Sequence, residues 1–135
     1  MKKLIVMLFL FLLGCSKPDL LSCQRTYYIE ELGKEINITA EAKFVGGKMQ
    51  EYHNQYKMNL AGEDEETIND LFQSMKGFYQ TEDNSPGIKQ SFEKGEDFIL
   101  YQVVYDITVL EDDNNLFGDK QETRIDLEEE GYICQ

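Results

Sequence analysis

The sequence predicts an α+β fold: an antiparallel sheet, a three-stranded meander plus two further strands, packed against one main amphipathic helix, with a short C-terminal helix. Three observations carry this. Residues 35–44 alternate apolar and polar without a break, as a strand with one wet face does. Gly46-Gly47 follows them at once and suits a tight hairpin. Ile68, Leu71, Phe72, Met75, Phe78 and Tyr79 then fall on a single helical stripe, the cover such a sheet needs.

The chain opens with Lys2 and Lys3, an apolar run from Leu4 to Leu13, then Gly14 and Cys15. This is the layout of a secretory signal peptide over residues 1–14, and the run is too short for the ~20 residues of a membrane span. Leu12-Leu13-Gly14-Cys15 resembles a lipobox, the processing site of bacterial lipoproteins. The resemblance implies cleavage before Cys15, diacylglycerol on its sulfur, and anchoring at the extracytoplasmic side of a bacterial cell membrane. Cysteine parity agrees: of Cys15, Cys23 and Cys134, lipidation takes one and leaves an even pair.

Residues 15–22 read as the lipidated cysteine and a short tether, because Pro18 speaks against regular structure. The single domain then spans residues 23–135. Cys23 to Ile29 is the first predicted strand, with Cys23, Tyr27 and Ile29 on one face. In the second, Ile36, Ile38, Ala40, Ala42 and Phe44 face inward. Lys48 to Leu60 returns as the third, with Tyr52, Tyr56, Met58 and Leu60 inside, Asn54 interrupting that face and Met49 on the opposite one.

The acids Glu63 to Glu66 suit the positive end of the helix that follows. Ile88 to Phe92 begins a short strand, and Phe98 to Val109 forms a long one with apolar residues on both faces, as a central strand has, or one partly covered on both sides. At the end of the chain Asp119 and Glu122 have capping-box spacing and Gly131 is placed as a helix stop. The alternation of Thr123, Ile125 and Leu127 suits a strand instead. The helix is the expectation.

Outside the cytoplasm, Cys23 and Cys134 are most simply read as a disulfide joining the ends of the domain. They lack the close spacing of a thioredoxin-like redox pair.

The chain carries 13 basic and 26 acidic residues, a formal charge of −13, and processing before Cys15 would remove two of the lysines. Nucleic acid is therefore excluded as a partner, and no basic stripe offsets the repulsion. His53 is the one histidine, which excludes a zinc site of several histidines, and no serine stands in a nucleophile elbow. There is no glycine-rich phosphate loop, and no cofactor is expected.

Asp112, Asp113, Asn114, Asn115 and Asp119 are the weak candidates for a metal, as hard oxygen ligands for calcium. They lack the glycine and terminal glutamate of the twelve-residue calcium loop. Eight tyrosines, with Tyr27, Tyr28, Tyr52, Tyr56, Tyr101 and Tyr105 on or near strands, suit a recognition surface as well as β-preference.

The element order, the flanking Cys23 and the ending Gly131-Tyr132-Ile133-Cys134 resemble small lipoproteins of Firmicutes and their relatives, similar in layout to the YehR-like family. That family brings no established activity. The expectation is a membrane-tethered, non-enzymatic domain that binds or scaffolds an extracellular protein, envelope polymer or small ligand. The alternatives are a small envelope enzyme using a carboxylate or tyrosine site, and a calcium-responsive surface module.

Overall fold

The computed structural model describes residues 17–79, 86–110 and 118–135. Its elements are β1 (Asp19–Ile29), β2 (Lys34–Val45), β3 (Lys48–Asn59), α1 (Glu65–Tyr79), β4 (Ile88–Lys94), β5 (Phe98–Asp106), α2 (Lys120–Glu129) and β6 (Ile133–Cys134). The fold is α+β. Six antiparallel strands form one sheet in the order β4-β5-β3-β2-β1-β6, with β5 inside it as its two apolar faces predict.

Both helices pack on the same sheet face, over different ends. Ile68 and Met75 of α1 are buried against Ile36, Met58, Ile99, Tyr101 and Val103. Each such side chain, fully buried, contributes about 1.5–3 kcal/mol. Leu127 of α2 joins Leu21, Cys23, Ala40, Ala42, Phe44 and Met49 in a second cluster.

Helix α1 starts where Asp64 accepts from Thr67 N at 2.7 Å. Helix α2 starts with the full capping box, Asp119 accepting from Glu122 N and Glu122 reaching back to Asp119 N. It stops at Gly131 (φ 95°), where Tyr132 N reaches Leu127 O and Gly131 N reaches Glu128 O. Only glycine adopts that φ without strain, and this turn carries Tyr132 back onto the sheet.

Five expectations need correction. The predicted tether is half strand: β1 begins at Asp19, just after Pro18, and Leu21 is 1% exposed. An apolar residue with a core to enter outweighs a proline that precedes the strand. Met49 is buried on the inner face because the β2–β3 register shifts between Lys43 and Phe44. Gln50 and Glu51 together face Lys43, and that bulge turns Met49 over. Strand β5 ends at Asp106, whose side chain accepts from Thr108 N at 3.1 Å and so starts a turn before Val109. Phe78 points outward at 81% exposure despite its place on the helical stripe. Finally, Ile133 and Cys134 form a sixth strand, too short for periodicity to reveal.

Candidate functional site: a tyrosine seam between two helices

The strand registers stack inward-facing residues into rows across the sheet. One row runs Ile38, Tyr56, Tyr101, Phe92, and another runs Ala42, Tyr52, Tyr105, Ile88. Between them lies a row of smaller side chains, Cys23, Ala40, Asn54 and Val103. Same-face rows are roughly 7 Å apart, so the taller rings on either side reach over the low row. Ala40 and Val103 are accordingly buried at 1% and 3% exposure.

The rings form two groups side by side on this face. Tyr101 stacks on Phe92 at 4.8 Å between centroids, on Tyr79 of α1 at 5.0 Å and on Tyr56 at 5.5 Å. Tyr52 and Tyr105 lie tilted at 6.3 Å. Tyr132 approaches from the α2 side, close enough for its phenol to bear on those of Tyr52 and Tyr56. All but Tyr101 are half-buried, so together they form a seam open to solvent where the two helix-covered clusters meet.

Burial, and then the neighbouring phenols, push Tyr52 and Tyr56 up from 10.0 to about 12. Burial also raises Tyr101 and Tyr132. These hydroxyls are neutral at any physiological pH. Gln90 Nε2 donates to Tyr101 Oη at 3.1 Å, and Asn54 shares a side-chain hydrogen bond with Tyr52. Asn54 Oδ1 is buried and has no hydrogen-bond partner among the described residues. Chemically, the seam offers half-buried rings and neutral hydroxyls, with Asn54 Oδ1 enclosed among them. It does not offer a base, since a tyrosine acting as one needs its pKa lowered.

No family model, curated protein or solved structure matches this chain.

His53 lies on the opposite sheet face, as its place in the alternation predicts. It meets Gln102 Oε1 through Nε2 at 3.3 Å and Glu41 at 4.0 Å through Nδ1. A shallow groove of about 190 Å³ runs past it, lined among others by Leu20, Glu41, Glu51 and His53. The Glu41 side chain is 57% exposed there, so water screens any pairing. His53 cannot act with the tyrosines through the thickness of the sheet.

Cys23 and Cys134 are joined by a disulfide. Cys15, Asp112, Asp113, Asn114 and Asn115 lie outside the described residues. Asp119, named with them as a calcium ligand, spends Oδ1 on the cap of α2. Among the described residues no three of histidine, cysteine, aspartate and glutamate gather as a metal site would require. The tyrosines divide: Tyr27 and Tyr28 are exposed beyond the seam, whereas Tyr52, Tyr56, Tyr101 and Tyr105 build it. Sequence reasoning missed Tyr79, counted only as helix stripe, and Tyr132. It also read Asn54 as an interruption, when an amide amid inward-facing aromatics was the available signal.

Proposed function

We propose that this chain is a lipoprotein held to the extracytoplasmic side of a bacterial membrane through Cys15, with a domain that binds a small ligand at the tyrosine seam. The cysteine bond supports the compartment, because such bonds persist where the surroundings oxidise. The apolar leader, Cys15 and the parity of the remaining thiols support the tether.

One observation carries binding rather than catalysis. The seam's phenols are held neutral beside an unpaired amide acceptor, with the lone histidine on the other face. Half-buried rings with a few placed polar groups are the make-up of ligand sites. The test is NMR of the mature protein, following tyrosine ring signals on addition of a small-molecule extract of the cell envelope. Binding at the seam shifts Tyr52, Tyr56, Tyr101 and Tyr105 and leaves His53 unmoved. A response confined to His53, or none in any ring, would overturn the reading.

A further inference from the structure

The strand register places the start of β1 and one hairpin at the same end of the sheet. Asp19, the first residue of β1, stands opposite Phe44, and Gly46-Gly47 turns the chain two residues further on. The exposed tip of that hairpin therefore projects about 7 Å past Asp19 along the strand axis. The chain from Cys15 to Asp19 spans at most about 14 Å even when fully extended. With Cys15 held in a bilayer and the strands upright, the tip comes within roughly 7 Å of the anchor's level.

Reach alone also lets the domain lie flat, and charge decides between the two. The far end of the sheet gathers Glu30 and Glu31 after β1, the run Glu63 to Glu66 that leads into α1, and Glu96-Asp97 between β4 and β5. Lys34 and Lys94 stand among them, and Lys34 is already paired with Glu63. The near end is close to balance among the described residues. Lys17, Lys43 and Lys48 are exposed there with Glu51 and Asp106, and Lys120 pairs with Asp19 at 2.6 Å. Asp119 and Glu122 sit on the positive end of α2, which offsets part of their charge. Strand β2 alone spans roughly 40 Å, so upright strands hold the acidic end several Debye lengths from the bilayer. Lying flat would press those acids against the headgroups.

We infer that the domain stands upright on the anionic headgroup surface of its own membrane, touching it with the Gly46-Gly47 hairpin and its flanking Lys43 and Lys48, and kept upright by repulsion of its acidic end. This rests on Cys15 being the lipid anchor. Lys43 and Lys48 have no ion pair among the described residues, which leaves both ammonium groups to meet lipid phosphates. The tyrosine seam lies between the two ends on the helix-covered face, so it opens along the bilayer and stays clear of it.

Cys15 is the one cysteine outside the disulfide, so the mature chain can be coupled through it to a maleimide phospholipid. Bicelles of phosphatidylethanolamine and phosphatidylglycerol, carrying a gadolinium-chelating lipid, then broaden the amide NMR signals nearest the headgroups. Gly46, Gly47 and Lys48 should lose most of their intensity. Gly33, Gly62 and Gly95, at the far end, should keep theirs. Replacing phosphatidylglycerol by phosphatidylcholine removes the repulsion, and the far glycines should then lose signal by about twofold or more.

Broadening as strong at Thr39, Gln55 and Gln102, along the outer sheet face, as at the hairpin overturns the upright posture. Far glycines that respond alike to both lipid mixtures overturn charge as its cause. Coupling supplies the anchor chemically, so either failure stands apart from failure of the tether. Whether the cell lipidates Cys15 is decided separately, by the intact mass of the extracted protein.

Discussion

Cys134 stands directly opposite Cys23 in the β1–β6 ladder, their Cα atoms 4.0 Å apart, and the bond between them closes a loop of 111 residues. Gln135 N donates to Ser22 O at 2.9 Å beside it, so this short ladder is held by backbone and sulfur together. Cys23 is fully buried and belongs to the cluster beneath α2, so the bond fixes that helix's exit as well as the sheet edge.

Removing the bond should therefore cost more than a surface thiol pair. The chain-entropy account gives about 4.7 kcal/mol for a loop of this size, and delivered values run about 2–5 kcal/mol. Cys134→Ser, or the oxidised protein treated with reductant, is expected to melt on the order of 10 °C lower. An unchanged melting temperature would show that the bond carries no stability.

The stretch just before Cys23 is predicted to be structural. Leu21 lies 1% exposed among Phe44, Ala42 and Leu127, so Leu21→Ala should cost about 2–5 kcal/mol. A chain shortened to begin at Cys23 should be destabilised by at least as much. Equal denaturant midpoints for the shortened and full-length mature chains would return residues 19–22 to the tether.

Asp119 separates a helix cap from a calcium ligand. As the cap of α2, its replacement by alanine should cost about 0.5–2 kcal/mol, with or without calcium. Melting curves with millimolar calcium and with chelator check this. Stabilisation of the parent protein by calcium, abolished in Asp119→Ala, would revive the calcium-responsive module.

The tyrosine seam makes stability fall at high pH. A phenol at 10.0 in the unfolded chain and about 12 in the folded one keeps its proton longer when folded. The unfolded state then binds fewer protons above pH 10, so the contribution of Tyr52 and Tyr56 is complete below that value. It is lost progressively as pH rises toward 12. Tyrosinate absorbance should show a late-ionising group that Tyr52→Phe and Tyr56→Phe each diminish. A single transition of all eight phenols at the ordinary value, with the protein still folded, would contradict the burial of the seam.

Much of this architecture is legible in the residues. The alternation from Ile36 to Phe44, the glycine pair at 46–47 and the stripe of α1 are local patterns, and each folds as its period requires. What periodicity could not show depends on partners distant in the chain. Met49 changes face because a bulge against Lys43 breaks the two-residue repeat. Leu21 enters a strand because Ala42 waits opposite it. The seam follows the same rule: its tyrosines are visible as residue types, but only the β3–β5 register brings Tyr56 beside Tyr101 and Asn54 beside Val103. Tyr132 joins them only through the turn at Gly131.

The most direct test of the whole account is the intact mass of the protein extracted from its native membrane, before and after reduction and alkylation. The account predicts a species that begins at Cys15, carries acyl mass, and reveals two thiols only on reduction. An unlipidated species, or one that retains residues 1–14, would contradict the tether and make secretion, or a retained apolar anchor, the starting point instead.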